Sequence, residues 1–259
     1  MTEHFFAGLD GAARSAKPRT QGLTMVIDWG MGPHAHEDLL LTGADYCDFA
    51  KVAVGVSRLL SNEVLKDKIL RYRQHQVEPF TGGQFLEYAE MNGRAAGYFA
   101  AVAAAGYQWV EVSDNLAPVE LAWKEDMIRQ ATQEHGLSVL GEVGKKEGLD
   151  GSVPMVDDAQ ACLAAGAEIV LLEAAELIDE ATAPEVEEVI AAVGIDKVMF
   201  ELPGPWIAGV HQHDIHRMRV ELIGKYGGEV NIGNVAAADL VAVEAYRRGL
   251  GVNAGGAED

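Results

Sequence analysis

The chain has 259 residues, a mass of 27.7 kDa and 49% hydrophobic residues, which allows a large core and excludes a disordered chain. Its 40 acidic against 20 basic residues give a formal net charge of −20. Such a surface repels phosphate backbones and anionic lipid, so neither nucleic acid nor membrane is an expected partner.

Cys47 and Cys162 lie far apart within apolar segments and read as buried thiols of a reducing compartment. The opening MTEHFFAGLDGAARSAKPRT has no apolar core of leader length, and no run reaches the ~18 apolar residues of a membrane span. A cytoplasmic location follows as an expectation.

Short β-type runs alternate with longer helical patterns. In chain order the runs are TMVIDWG (24–30), CDFAKVAVG (47–55), VEPFTGG (77–83), YQWVEVSD (107–114), LSVLGEVGKK (137–146), EIVLLEAAE (168–176), KVMFELP (197–203) and EVNIGNV (229–235). Between them fall amphipathic stretches such as EVLKDKILRYRQH (63–75), APVELAWKEDMIRQATQEHG (117–136), DDAQACLAAGA (157–167) and AADLVAVEAYRRG (237–249). Gly106, Gly136 and Gly166 stand where helices should end, just ahead of the next strand. Eight such units in a chain of this length predict an α/β fold, a single (β/α)8 TIM barrel over residues 1–259, with 1–20 as an N-terminal extension. No glycine-rich dinucleotide loop follows the first strand, which disfavours a doubly wound sheet.

A barrel of this kind places its chemistry at the C-terminal strand ends, and residues two apart on a strand share a side. Strand one then offers Asp28, strand two Lys51, strand four Glu111 and Ser113, and strand five Glu142 with Lys146 at the same parity. Strands six, seven and eight offer Glu173, Glu201 and Asn231. One strand-end charge usually means a solvated side chain or a loop hydrogen bond. Six converging on one mouth point to a polar site for a divalent cation, an anion or both.

The stretches GLTMVIDWGMGP, DFAKVAVG, FTGGQFLEYA, VEVSDN and GEVGKK, continued through FELP, VNIGNV and AYRRGL, resemble the phosphosulfolactate synthase family over nearly the whole chain. VEVSD followed by EVGKK is the most specific combination. The resemblance implies a TIM barrel that adds sulfite to phosphoenolpyruvate with Mg2+, Mn2+ being an alternative, and a homo-oligomer acting on a small molecule. It makes Lys146, with Lys145 beside it, the group that handles the proton at the substrate's C2. It also implies a metal shell of Glu111, Glu142, Glu173 and Glu201, with Glu111 counted among the catalytic residues as well.

The chain departs from the family pattern at several basic positions. Trp29 replaces a lysine after the strand-one aspartate, and His34 stands in for a basic residue beyond it. EAAEL replaces an arginine-bearing run after strand six, GPWIAGVHQHDIHRMR replaces a Lys/Ser/Gln-rich loop, and Gly251 takes the place of a C-terminal arginine. Fewer cations and two added tryptophans favour a less anionic or more apolar substrate. Plant heat-stress-associated proteins resemble the same family, so a non-catalytic role is the alternative, although a dead site need not keep buried charges.

Three further motifs invite a reading. HQHDIH (211–216) and PHAHED (33–38) have imidazoles at short spacing but lack the ligand pattern of structural zinc, so His34 and His211 read as substrate contacts on the mouth side. Gly82 and Gly83 could lend backbone N–H groups to an anion or only shape a tight turn. Trp29 and Trp206, each just beyond a strand end, are expected to line the pocket, and Gly233 and Asn234 fall where many barrels bind phosphate. Arg247 and Arg248 suit the C-terminal dipole of the last helix.

Overall fold

The computed structural model describes residues 5, 6, 9, 11–117, 119–144, 153–173 and 182–252. Eight parallel strands run in the order β1 (Thr24–Asp28), β2 (Phe49–Val52), β3 (Glu78–Thr81), β4 (Trp109–Val112), β5 (Ser138–Val143), β6 (Ile169–Glu173), β7 (Val198–Glu201) and β8 (Asn231–Ala236). Each pairs with the next, and β8 pairs back with β1 to close the barrel. The helices α1 (Pro33–Gly43), α2 (Val56–Leu59), α3 (Asn62–Gln74), α4 (Gln84–Met91) and α5 (Tyr98–Ala105) cover the first half. The second half is covered by α6 (Leu121–Arg129), α7 (Met155–Ala165), α8 (Ala183–Val193), α9 (Gln212–Tyr226) and α10 (Leu240–Arg247). This is the expected (β/α)8 barrel. The glycines at 106, 136 and 166 have φ of 106°, 63° and 119°, a region that a side chain would strain.

Strand alternation builds two cores. Met25, Phe49, Phe80, Leu140, Leu171 and Met199 fill the barrel interior. Their neighbours of opposite parity, such as Val110, Val139, Val170, Phe200 and Ile232, pack outward on the helices. The interior is a packed plug, so polar side chains are displaced to its two ends.

At the N-terminal end of the barrel, residues expected on other grounds take structural roles. Asn231 accepts from the Leu23 N–H at 2.9 Å and donates to the Val198 carbonyl at 2.9 Å, so its amide is engaged at the floor, away from the mouth. Arg247 was expected at an ordinary helix end. It is instead buried and donates to the carbonyls of Gly228 and Val230 at 2.7 and 2.5 Å. Burial lowers its pKa to about 9. Arg14 and Arg19 dock beneath the barrel on Glu229 and Asp48, at 2.6 and 2.9 Å. No helix among the described residues is long and apolar enough to cross a membrane.

His36 on α1 lies against the Tyr72 ring of α3 with centroids 4.1 Å apart, and its Nε2 has no hydrogen-bond partner among the described residues. Burial, assisted by the Lys68 ammonium, lowers its pKa to about 4. As pH falls from 6.5, the unfolded chain takes up a proton that the folded imidazole refuses, so stability is lost down to about pH 4 and then levels off. At about 1.4 kcal/mol per pKa unit, the loss is roughly 3 kcal/mol. Urea unfolding of wild type and His36→Phe should show the variant gaining about that much relative to wild type between pH 7 and 4. A difference that stays constant with pH would show that His36 titrates normally.

Candidate active site

The inward-facing position near the top of each strand sets the site. Register pairs Ile27 with Lys51 and Glu173 with Glu201, and Glu111 and Glu142 occupy the same inward parity on β4 and β5. Glu111, Glu142 and Glu201 are buried, and Glu173 is half-buried. Like charges paired across neighbouring strands oppose folding, and burial adds to the penalty. One ammonium relieves part of it. Lys51 Nζ lies 2.7 Å from Glu111 Oε2 and 2.5 Å from Glu201 Oε1.

Burial works against the charge on Lys51, yet Glu111, Glu201 and Glu142 outweigh it and hold its pKa above the usual lysine range. Glu142 is pushed well above the ordinary carboxylate range by burial and then by the fields of Glu111 and Glu201. Glu201 is also raised by burial, with Lys51 acting in the opposite direction. Among the described residues the mouth brings four carboxylates to one ammonium, and a cation there would relieve their mutual repulsion.

The carboxylates fall into two sets. Glu142, Glu173 and Glu201 each offer an oxygen within 4.8 Å of the others, an oxygen-only donor group suited to a hard divalent ion. Glu111 lies outside this trio. Its Oε1 accepts the Gly83 N–H at 2.9 Å while its Oε2 faces Lys51, so it anchors the ammonium to the loop after β3. Gly83 thus serves a carboxylate of the chain itself, while the Gly82 N–H donates to the Val52 carbonyl at 3.2 Å. A Cβ on Gly83 would come within 2.3 Å of Ser113 Oγ.

The other expected residues divide by position. Trp29, Trp206 and Asn234 line the same cavity of about 170 Å3 as Lys51 and the four glutamates, and the indoles meet with centroids 5.3 Å apart. Asp28 does not enter that cavity, because its parity turns it outward. It accepts from Lys68 Nζ at 2.6 Å and Tyr72 Oη at 3.0 Å, and it caps the N–H groups of Gly30 and Met31.

Ser113 lies beyond the strand end and donates to the buried Glu87 of α4. His34 is exposed in the first turn of α1. His211 is the N-cap of α9, stacked on His213 at 5.7 Å, with its N–H donated to Asp214. His216 turns to Arg219 and Tyr246, so these imidazoles do not converge. Lys145 and Lys146 lie outside the described residues. Cys47 and Cys162 are buried, and burial pushes both thiols up to about 12.

Sequence reasoning missed three site residues. Asn115 donates from Nδ2 to Glu142 Oε1 at 2.5 Å. Glu87 takes the N–H groups of Leu116 and Ala117 at 2.5 and 2.7 Å, fixing the loop that carries Asn115. Lys124 is completely buried beneath the mouth, with Nζ 2.7 Å from Asp158, 3.2 Å from Asp114 and 2.9 Å from the carbonyl of Glu142. Asn115 stood in the VEVSDN stretch, whereas Glu87 and Lys124 look like ordinary helix-surface charges in sequence.

The model of the (2R)-phospho-3-sulfolactate synthase family matches residues 12–253. The chain belongs to this family. A phosphosulfolactate synthase of Methanothermobacter thermautotrophicus is 34% identical over 250 residues, covering 92% of each chain. Those of Methanocaldococcus jannaschii and Bacillus subtilis are 31% and 26% identical, over 89% and 93% of this chain and 92% and 95% of theirs. Among solved structures, 3-hexulose-6-phosphate synthase of Salmonella typhimurium superposes with a TM-score of 0.54 at 10% identity, over 87% of this chain and 99% of that one. That likeness concerns the barrel alone.

Lys124 ties the segment after β4, the backbone of β5 and α7 together beneath the mouth. Burial opposes its charge, but Cys162, Asp158 and Asp114 hold its pKa above the usual lysine range, while burial raises that of Asp158 despite the pair. Lys124→Met should therefore destabilise the fold by about 3–5 kcal/mol in urea unfolding at neutral pH, because it takes the ammonium away from two buried carboxylates. The loss should shrink in acid as Asp158 takes a proton. Wild-type stability in this variant would show that the buried triad is dispensable.

Proposed function

We propose that the chain is a carbon–sulfur lyase that joins a nucleophile of the sulfite class to the methylene carbon of an enol- or enoate-type acid. The observation that carries this reading is the Glu142–Glu173–Glu201 trio, held within 4.8 Å at the barrel end where this fold places its chemistry. The donor set fits Mg2+ or Mn2+. A cation bound there would supply positive charge to the substrate carboxylate.

The chemistry balances without a redox partner. The sulfur lone pair forms the new carbon–sulfur bond, the double-bond pair moves onto the carboxylate as an aci-carboxylate, and a proton delivered to C2 collapses it. Lys146 is the assigned proton donor, from its place four residues beyond Glu142 and from the family resemblance. Lys51 fixes Glu111 and Glu201, and Asn115 and Asn234 orient Glu142 and Glu201 through their amides. Trp29 and Trp206 flank the mouth.

The family substrate, phosphoenolpyruvate, would bring a phosphate into a mouth with one described lysine, Lys51, which two carboxylates already engage. Each missing charge-assisted hydrogen bond is worth roughly 1.5–3 kcal/mol, so losing two weakens binding by about two to four powers of ten. With Mg2+ and sulfite present, loss of phosphoenolpyruvate should be slow beside a family synthase assayed in parallel, and addition to an acid lacking phosphate should be faster. Chelation should stop the reaction and Mg2+ or Mn2+ should restore it, while Glu142→Gln should raise the metal requirement and Lys146→Ala should abolish turnover. Rapid phosphoenolpyruvate turnover would return the chain to the plain synthase reaction. Normal turnover by Lys146→Ala would remove that lysine from the chemistry.

A further inference from the structure

Beside the acidic mouth lies a second chamber of about 350 Å3, bounded by the segment after β7, the start of α9 and the segment after β8. It shares Ile27, Trp29, Trp206 and Asn234 with the mouth, so the two spaces adjoin. Its remaining wall is mostly carbon, with Met31, Leu202, Pro203, Pro205 and Val235 prominent. The end of β8 is where many barrels of this kind cradle a phosphate. In this chain the side chains that face that place are mostly apolar.

The charge pattern agrees. Arg219 is the lone lysine or arginine of the lining, it is buried, and each of its three guanidinium nitrogens faces a partner. Nη1 lies 3.4 Å from Asp239, Nε and Nη2 point to His216 Nδ1 at 3.2 and 2.9 Å, and the guanidinium covers the Tyr246 ring at 5.6 Å. An entering phosphate would have to break that arrangement and would also face the Asp239 carboxylate.

The two indoles at the junction are half exposed, Trp29 at 49% and Trp206 at 45%, although they pack on each other. The Trp206 ring lies so close over Gly204 that a Cβ there would come within 2.0 Å of it. Backbone and side chain are thus fitted to each other at the rim, which leaves an aromatic face toward the crevice. Apolar surface held open in this way gains free energy when a carbon group covers it.

We propose that this chamber is a substrate subsite for an uncharged hydrocarbon substituent, alkyl or aryl, on C2 of the acid whose carboxylate sits at the glutamate mouth. The inference rests on the proposed reading of the mouth as an enoate site. The substituent occupies the room that a phosphate-bearing substrate would need, and Trp29, Trp206 and Leu202 set the specificity. Each buried methylene strengthens binding about fourfold.

Equilibrium titration without sulfite tests this, using acrylate, 2-methylacrylate, 2-phenylacrylate and phosphoenolpyruvate in the presence of Mg2+. The dissociation constant should fall along the first three, by at least about tenfold from acrylate to 2-phenylacrylate, and phosphoenolpyruvate should bind more weakly than 2-phenylacrylate. Trp206→Ala, which removes one wall, and Ala238→Phe, which fills the chamber, should each bring the acrylate to 2-phenylacrylate ratio toward one. A wild-type ratio near one, or tighter binding of phosphoenolpyruvate than of 2-phenylacrylate, overturns the subsite and leaves the enoate reading standing. If none of the acrylates binds, the enoate reading falls and the subsite falls with it.

Discussion

The Lys51 ammonium, held between Glu111 and Glu201 at 2.7 and 2.5 Å, is the interaction on which the mouth depends. Four carboxylates from four consecutive strands cannot share one narrow barrel end unless something of opposite sign stands among them. Lys51 does so from β2, on the far side of the barrel from β6. Glu111 in turn is tied to the backbone of Gly83, so the ammonium is fixed at a definite height. On the other side Glu142, Glu173 and Glu201 bring their oxygens within 4.8 Å of one another, a geometry suited to a divalent ion.

A second buried lysine supports this arrangement from below. Lys124 reaches the backbone of β5 at Glu142 itself and joins it to Asp114 after β4 and Asp158 on α7. Glu87 performs the same task one strand earlier, holding the loop that brings Asn115 to Glu142. These buried bonds orient Glu142 before any ligand arrives, and groups already oriented toward developing charge need not reorganise during a reaction. The adjoining apolar room is built with equal care from Trp29, Trp206 and Gly204.

The barrel was legible because its signals are local. Aliphatic runs, helical periods and glycines at 106, 136 and 166 each report on a few neighbouring residues. Parity along a strand placed Lys51, Glu111, Glu142, Glu173 and Glu201 on the inner side, and they line one cavity. The same rule, followed through, separates Asp28 from Ile27 and turns it toward Lys68 and Tyr72. Parity alone does not say how high on the barrel a residue stands, which is why Asn231 belongs to the floor. Glu87 and Lys124 were invisible because their partners lie on other elements, 10 to 34 residues away, and their helices carry similar charges that face water. Only the fold distinguishes them.

The central claim is that the glutamates of β5, β6 and β7 keep their unfavourable proximity in order to hold a divalent cation. The most direct measurement is an anomalous-difference map from crystals equilibrated with Mn2+ and recorded near the manganese absorption edge. A single strong peak bounded by Glu142, Glu173 and Glu201 is the predicted result, absent in crystals of Glu173→Gln. A map with no peak there at saturating Mn2+, or with its peak at His211 and His213 instead, would contradict it.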